Sequence, residues 1–319
     1  MSNLSNIRRV AVIGAGQMGP GIAQACAQAG YSAVVIARSV ASLEKAQAKV
    51  QANLDAMLPY DLIRQEEIAA LLSCISYRND GLAGAAEADL IIEGVTEDLP
   101  LKQQLFADLE RVCRPSAIIM STTSGLRCTD IAAKMQRPER AIVGHYWNPP
   151  HLLPLVEVAP GEKTAQWVTD TVIAFLKTTG HTPVLCRKEA LGFVANRLQH
   201  ALWREALAIV EQGIATPDEV DDALKTSFGA RTPVLGIFEH MDLVGLDLTR
   251  YLHSYLLADL DVQKGPNAVL TERVQRGDLG VKTGKGFYDW STKSAGDVLR
   301  ARDTLLLELA AKRKLAQGG

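Results

Sequence analysis

The first half of the chain alternates short apolar runs with longer amphipathic runs. The short runs predict strands at residues 8–14, 32–37, 88–95, 116–123, 140–145, 155–158 and 181–186. The longer runs predict a helix from the first strand to about Gly30 and further helices at 41–72, 101–112 and 164–179. In residues 41–72, for example, Leu43, Ala46 and Val50 recur at the three- and four-residue spacing of one helix face. Strands that alternate with helices predict an α/β fold with a doubly wound, mostly parallel sheet.

The pattern changes between Arg187 and Gly192, after which helical runs dominate. Residues 193–213 predict one long helix, and Thr216 followed by Pro217 and Glu219 predicts the capped start of another. GFYDW (286–290) is a short extended piece. We therefore predict a sheet domain at 1–187 and an all-helical domain at 188–319. The helix over 193–213 is apolar on more than one face, which predicts either a homodimer through the helical domain or complete burial within one monomer.

Composition and charge narrow the class of protein. The 319 residues are 47% hydrophobic and include 34 Lys and Arg against 36 Asp and Glu. These values exclude a mainly disordered chain and argue against a nucleic-acid partner bound through bulk charge. Five widely spaced cysteines without a C-x-x-C pair argue against a disulfide framework and a zinc site, so we expect no metal. Because no signal peptide and no membrane-spanning stretch is recognisable, we expect a cytoplasmic protein without a membrane partner.

The glycine-rich segment GAGQMG follows the first predicted strand and opens the first helix. It places Gly14, Gly16 and Gly19 in the spacing of a dinucleotide-binding loop, with Gln17 and Met18 between them. Glycines allow the tight turn and the close approach of a pyrophosphate to the helix N-terminus. Because the strand and the helix are both in place, we predict a Rossmann-type site instead of a plain strand–helix turn.

The end of the second strand bears on the choice of coenzyme. An acidic residue usually stands there to bind the ribose of NAD, but this chain has Arg38 and Ser39. A guanidinium pairs with a phosphate through two hydrogen bonds. The sequence therefore favours NADP over NAD; the alternative is that Arg38 is a solvated side chain and NAD binds with a weaker ribose contact.

Six segments in order give the chain a specific resemblance. They are VIGAGQMG (12–19), IIEGVTEDLPLK (91–102), STTSGL (121–126), GHYWNPPHLLPLVEV (144–158), GFVANRLQ (192–199) and KTGKGFYDW (282–290). Over nearly its whole length the chain resembles the L-3-hydroxyacyl-CoA dehydrogenase family, including the branch of L-gulonate and carnitine dehydrogenases. The resemblance implies a Rossmann domain followed by a helical dimerisation domain. It also implies reversible hydride transfer between a nicotinamide and a 3-hydroxy or 3-oxo group.

The resemblance also assigns a catalytic pair. His145 stands at the end of a predicted strand, and Glu157 lies between two valines in the next one. Spacing alone leaves open a core histidine and an unrelated glutamate. The family's catalytic dyad falls on these positions, which implies His145 as general base and Glu157 as the group that orients it.

Four further roles follow from the resemblance. Ser124 would bind the substrate 3-oxygen, and Asn196 would help hold the substrate and the histidine. Glu97 and Lys102 would contact the cofactor ribose. The alternatives are a turn hydroxyl for Ser124, a helix residue that bonds the other domain for Asn196, and an exposed ion pair for Glu97 and Lys102.

The substrate class remains divided between two kinds of 3-hydroxy compound. Family members that act on acyl-CoA tend to carry a basic cluster where this chain has NLDAMLPYDLI (53–63), which has no lysine or arginine. This favours a small 3-hydroxy acid, with His151 as a candidate for its carboxylate or as a loop histidine that bonds the backbone. A short-chain 3-hydroxyacyl-CoA, with Lys45 and Lys49 near its phosphates, is the alternative.

Two other classes of protein stay open at this point. One is a different β-hydroxyacid or imine-type reductase with a similar Rossmann half. The other is a non-catalytic, crystallin-like protein that binds the cofactor. The different reductase would use other catalytic groups and lack the His145–Glu157 spacing. The non-catalytic protein would bind the cofactor without turnover of any substrate.

Overall fold

One large sheet organises the first part of the chain in the computed structural model, which describes residues 4–317. Its strands are β1 (Arg9–Ile13), β2 (Ser32–Ile36), β3 (Ile75–Arg78), β4 (Leu90–Glu93), β5 (Ile118–Ser121), β6 (Ala141–Tyr146), β7 (Leu155–Pro160) and β8 (Thr182–Leu185). They lie in the order β3-β2-β1-β4-β5-β6-β7-β8. All neighbours are parallel except β6 and β7. The predicted α/β fold with a doubly wound, mostly parallel sheet is confirmed.

Helices occupy much of the remaining described chain. They are α1 (Gly19–Gln28), α2 (Val40–Met57), α3 (Gln65–Ser73), α4 (Leu99–Val112), α5 (Cys128–Ile131), α6 (Gln166–Thr178), α7 (Ala195–Glu211), α8 (Pro217–Thr226), α9 (Phe228–Arg231), α10 (Ile237–Val244), α11 (Leu246–Leu256), α12 (Ala268–Gln275) and α13 (Ala295–Gln317). No helix within residues 4–317 has both the length and the apolar composition that crossing a bilayer requires.

Apolar side chains form a separate cluster on each face of the sheet. Along β6, Ile142 and Tyr146 belong to the cluster that α1 and α6 cover. Ala141 and Val143 belong to the cluster that α4 covers. Successive residues of a strand point to opposite faces, so His145 shares the face of Val143. This alternation determines which side of the sheet each residue near the end of β6 can reach.

The prediction of an uninterrupted helix over residues 41–72 is wrong. α2 ends at Met57, and a 3₁₀ turn, Leu58–Tyr60, separates it from α3. Pro59 cannot donate a backbone hydrogen bond, and Asp61 has a left-handed φ of 53°. Both features interrupt the helix. After α3 the chain forms β3, a strand that the sequence analysis did not predict, and it pairs with β2.

Contacts within the chain divide it into two compact units. The first contains the described residues up to Ala195 together with those from Ala301 onwards, and the second is Asn196–Arg300. The predicted boundary at 187/188 assigned all later residues to the helical domain. The structure differs because the end of α13 returns to the first unit, where Leu307 is buried in the cluster with the sheet.

The second unit is helical. Within it, α8 begins with the N-terminal cap that Thr216 and Glu219 predicted. The backbone N–H of Glu219 donates to Thr216 Oγ1 at 3.4 Å, and the N–H of Thr216 donates to Glu219 Oε2 at 2.8 Å. The apolar side chains of the second unit are largely exposed. Ala208 is the one buried apolar residue among those described for this unit, while Phe238 is 81% exposed. A unit with so little buried apolar area lacks the main source of folding free energy.

Candidate active site

The carboxyl ends of β1, β4, β5 and β6 carry most of the residues that the sequence analysis selected. These four strands are consecutive in the sheet. The glycine loop follows β1, Glu97 follows β4, Ser124 follows β5, and His145 is the penultimate residue of β6. The strand order reverses at β1: the chain continues from β1 to β2 on one side of it, and β4 lies on its other side. Open α/β sheets bind ligands at such a point.

The glycine loop has the geometry of a pyrophosphate site. Gly14 has a φ of +114°, and a Cβ on it would lie 2.7 Å from the Gly94 carbonyl oxygen. A Cβ on Gly19 would lie 1.9 Å from the carbonyl oxygen of Gly14. Both positions therefore require glycine. A Cβ on Gly16 would meet no described atom within 4 Å, so a phosphate could approach this backbone closely.

The residues beside these glycines provide no side-chain cap for the N-terminus of α1. Gln17 is exposed and Met18 is partly buried. Met18 precedes α1 without a side-chain hydrogen bond to the first turn. The N–H groups of that turn can therefore face an anion, and the loop fits the pyrophosphate of a dinucleotide.

Arg38 and Ser39 follow the end of β2, where the ribose would be recognised. Arg38 is exposed and has no ion pair with the described residues. Ser39 caps α2, with its Oγ accepting a hydrogen bond from the N–H of Ser42 at 3.3 Å. The structure thus leaves the guanidinium open to a ligand and gives Ser39 a local structural partner.

His145 and Glu157 are directly paired across the antiparallel strands β6 and β7. His145 Nδ1 lies 2.9 Å from Glu157 Oε2. His145 is 6% exposed and Glu157 is fully buried. A pairing that spacing alone left open is therefore present in the fold.

Glu157 accepts four hydrogen bonds, which hold it as a carboxylate. The N–H groups of Val194 and Ala195 donate to its Oε1 at 2.7 and 2.8 Å, and Trp147 Nε1 donates to Oε2 at 3.3 Å. Burial acts to raise the pKa of Glu157, but the bonds from His145, Ala195, Val194 and Trp147 outweigh it and hold the pKa below 4.5. An ionised Oε2 requires His145 to donate from Nδ1, so Nε2 is the nitrogen that can accept a proton.

Two aromatic rings enclose the His145 imidazole. The ring of Trp147 lies 5.6 Å and that of Phe193 lies 5.5 Å from it, centroid to centroid. The sequence analysis did not select Trp147 as a site residue, yet its indole also bonds Glu157. The two amides at residues 194 and 195 were also missed. No sequence pattern identifies them, because any residue type supplies a backbone N–H.

Lys102 is buried, in contrast to the exposed ion pair considered as an alternative. Its Nζ lies 2.7 Å from Glu93 Oε1 and 3.5 Å from Glu97 Oε2. Glu93 is fully buried and also accepts a bond from Ser121 Oγ at 2.7 Å. The sequence analysis missed Glu93, although a carboxylate ending an apolar strand is a recognisable signal. Lys102 therefore neutralises the buried carboxylate of Glu93 at the end of β4. The same carboxylate bonds Ser121 and so connects the ends of β4 and β5.

Glu97 and Ser124 lie together at this edge. The N–H of Ser124 donates to Glu97 Oε1 at 3.1 Å, and the hydroxyl of Thr123 also donates to Glu97. Both Glu97 and Ser124 are exposed. Asn196 is the second residue of α7 and the first of the second unit. Their functional roles stay predictions.

Together these features define the class of a dinucleotide-dependent dehydrogenase: a Rossmann sheet with a histidine and a carboxylate beside the coenzyme edge. The family models agree. Residues 9–190 match "3-hydroxyacyl-CoA dehydrogenase, NAD binding domain", and residues 192–290 match its C-terminal domain. The chain belongs to the 3-hydroxyacyl-CoA dehydrogenase family and is an NAD(P)-dependent oxidoreductase that acts on CH–OH groups.

Similar proteins include enzymes for two kinds of substrate. The chain is 31% identical over 320 residues to a 5-formyl-3-hydroxy-2-methylpyridine 4-carboxylate 5-dehydrogenase of Mesorhizobium japonicum, covering 98% of this chain and 99% of that protein. It is 33% identical over 284 residues to a 3-hydroxybutyryl-CoA dehydrogenase of Clostridioides difficile, covering 89% and 99%. A solved structure of the first kind of enzyme, described as an NAD+-dependent dismutase, is similar with a TM-score of 0.87 and 29% identity, covering 98% and 99% of the two chains.

Proposed function

We propose that this protein oxidises or forms a small free 3-hydroxy carboxylic acid, with His145 as general base and Glu157 as its orienting partner. The observation that carries the substrate class is similarity along the whole chain, α13 included, to an enzyme whose named substrate is a small carboxylate. The family models end at residue 290, before α13 begins. A short-chain 3-hydroxyacyl-CoA is the second candidate, because an acyl-CoA relative matches 89% of the chain.

The acidic stretch that spans the last residues of α2 and the turn after it supports the free acid. Residues 53–63 contain Asp55 and Asp61 but no lysine or arginine. Lys314 of α13 donates to the backbone oxygens of Asp61 and Leu62 at 2.7 and 3.4 Å. Its ammonium is thereby already bound to the backbone. This stretch offers little attraction to the phosphates of coenzyme A.

His145 supplies the proton step. Its Nδ1–H donates to the ionised Glu157, so Nε2 takes the proton of the substrate hydroxyl, and Glu157 stabilises the resulting imidazolium. When bound, the coenzyme held by the glycine loop would supply the nicotinamide as acceptor for the hydride of the carbon that carries this hydroxyl. Trp147 and Phe193 limit the access of water to the imidazole.

Four residues complete the proposed site. Ser124 binds the substrate 3-oxygen, and Asn196 holds the substrate and the histidine. Glu97 contacts the coenzyme ribose from its exposed position. Lys102 acts on the ribose through Glu97, whose Oε2 lies 3.5 Å from Nζ, because Lys102 itself is buried.

The coenzyme that we propose is NADP, although a similar solved enzyme is described as NAD+-dependent. Support comes from the exposed Arg38 after β2 and from the lack of a carboxylate among Ala37, Arg38 and Ser39. A guanidinium at this position would form charge-assisted, bidentate bonds with a 2′-phosphate, which an unphosphorylated ribose does not offer.

Replacing Arg38 with alanine is expected to raise the KM for NADPH by ~10-fold or more, because the charge-assisted bonds to the phosphate are lost. The KM for NADH should change little. Steady-state kinetics with both coenzymes measures this difference, and Arg8→Ala, an exposed arginine before β1, is the control. An equal change for both coenzymes would refute the assignment.

We also propose a homodimer through the helical unit. The exposed apolar side chains of that unit include Phe238, Leu243 and Tyr251. A second copy of the chain would bury them, and monomeric proteins rarely expose such patches. A cytoplasmic location fits the five cysteines, none of which forms a disulfide.

A substrate comparison tests the proposed function. We expect at least one small acid among gulonate, carnitine and 3-hydroxybutyrate to give a kcat/KM for oxidation at least ~10-fold above that for 3-hydroxybutyryl-CoA, the acyl-CoA probe oxidised in the same direction. Loss or gain of reduced nicotinamide absorbance measures both directions. Faster oxidation of 3-hydroxybutyryl-CoA than of every acid would establish the second candidate. Coenzyme binding without turnover of any substrate would favour the non-catalytic, crystallin-like class.

A further inference from the structure

A cavity of about 330 Å³ lies within the first unit, between α13 and the connection from β6 to β7. We call it the α13 cavity. Arg313 and Lys314 of α13 line one part of it, and His151 and His181 line another. No site described above includes this cavity.

The α13 cavity is on the opposite face of the sheet from the His145–Glu157 pair. His145 shares the face of Val143, whereas the next residue, Tyr146, points to the other face. The ring of Tyr146 packs against His181 with 5.1 Å between centroids, and His181 lines the cavity. A molecule in the cavity therefore lies across the sheet from the reacting centre and is not the substrate bound for hydride transfer.

Arg313 brings a positive charge to this cavity without a matching carboxylate. Its Nη2 donates to the backbone oxygen of Leu152 at 2.8 Å, and no carboxylate oxygen of residues 4–317 lies within 4.0 Å of it. Burial lowers the pKa of Arg313, as expected for a desolvated cation without an anionic neighbour. The residues that line the cavity, all of them described, include no aspartate or glutamate. A partly buried guanidinium of this kind gains free energy from an anion.

The remaining wall is mixed: Gln28, Thr178, Thr179 and Thr182 are polar, and one part is apolar and could cover a short aliphatic group. Ala25, Ala29, Met57 and Leu62 contribute aliphatic surface. A single inorganic ion would fill only a small part of 330 Å³ and would leave this surface uncovered. His151 adds a polar group: its Nδ1 is buried without a hydrogen-bond partner among the described residues. The backbone bond that the sequence analysis considered for His151 is not formed.

We propose that the α13 cavity is a binding site for a small organic anion, a carboxylate with a short aliphatic chain that Arg313 binds through its guanidinium. Pro150–Pro154, which lines the cavity, connects the strands that bear His145 and Glu157. Pro150 and His151 also contact α1 at Gly21, where a Cβ would lie 2.7 and 3.2 Å from their atoms. An occupant therefore touches both the catalytic connection and the helix that begins at the coenzyme loop.

Isothermal titration calorimetry of the full chain with acetate, butyrate, hexanoate and inorganic phosphate tests this site. We expect saturable binding whose affinity rises from acetate to hexanoate, because each buried CH₂ contributes about 0.8 kcal/mol. Phosphate should bind more weakly than hexanoate. Arg313→Gln should weaken hexanoate binding by ~10-fold or more, because a charge-assisted hydrogen bond is lost.

Two variants make the outcome decisive. Arg302→Gln removes an exposed arginine of the same helix, which bonds Asp303 and does not line the cavity, and should leave hexanoate binding unchanged. Arg313→Lys keeps the positive charge but cannot form the two parallel hydrogen bonds of a guanidinium, so it should bind hexanoate with intermediate affinity. This variant tests the site if Arg313→Gln does not fold. Absence of hexanoate binding, equal affinity in the Arg313 and Arg302 variants, or tighter binding of phosphate would each overturn the proposal.

Discussion

Replacing His145 with glutamine is expected to lower kcat by ~100-fold or more, because general-base catalysis contributes ~10²–10⁴-fold. Glutamine keeps a hydrogen bond to Glu157 but has no nitrogen that accepts a proton. Coenzyme affinity should stay unchanged, because the glycine loop follows β1 and His145 lies on β6. Steady-state kinetics gives kcat, and fluorescence titration with the reduced coenzyme gives its Kd.

The control for this variant is His253→Gln, which changes an exposed histidine of α11. It should retain the full kcat. A loss of less than ~10-fold in His145→Gln would remove His145 from the proposed mechanism. A parallel loss of coenzyme binding would instead indicate damage to the sheet edge.

Replacing Glu157 with glutamine is expected to lower kcat by ~100-fold or more and the free energy of unfolding by about 1–3 kcal/mol. The amide cannot stabilise an imidazolium at His145. It also turns an N–H₂ group toward donors, since His145, Trp147 and two backbone amides all donate to this side chain. Kinetics and urea denaturation measure the two effects.

The stability effect should depend on pH in one direction. The native pKa of Glu157 lies below its value in the unfolded chain, so its contribution is present above pH 4.5 and is lost as the pH falls through the lower native pKa. The difference in unfolding free energy between wild type and Glu157→Gln should therefore shrink below pH 4.5. The exposed Glu162→Gln should match wild type throughout. A difference that grew on acidification would contradict an ionised Glu157.

Local sequence patterns predicted most of the sheet, because seven of its eight strands lie in short apolar runs. β1, β2 and β4–β8 all lie where such runs stand. β3 was not predicted because ISYR (75–78) is short and half polar. It becomes a strand only by pairing with β2. The break after Met57 depends on Pro59, which the helical periodicity around it masked.

In the site, too, features formed by neighbouring residues were predictable from the sequence, and features formed by remote residues were not. The glycine loop was predictable because its strand, turn and helix are contiguous, and Gly14 and Gly19 show the required close approaches. Burial of Lys102 against Glu93 was not predictable, because it depends on the packing of α4 over the end of β4. A charged residue in a sequence gives its chemistry but not its solvent exposure.

By itself the sequence determined the α/β class, the dinucleotide loop and, through its resemblance to a family, the candidates His145 and Glu157. Only the tertiary structure decided that these two side chains meet at 2.9 Å and that the carboxylate, held ionised by His145, also accepts bonds from the two backbone amides preceding Asn196. It alone placed Arg313 at a cavity on the opposite face of the sheet. The physical reason is that strand periodicity and turn chemistry act within a few residues. Distances between remote residues are fixed by strand register and by the packing of helices on the sheet.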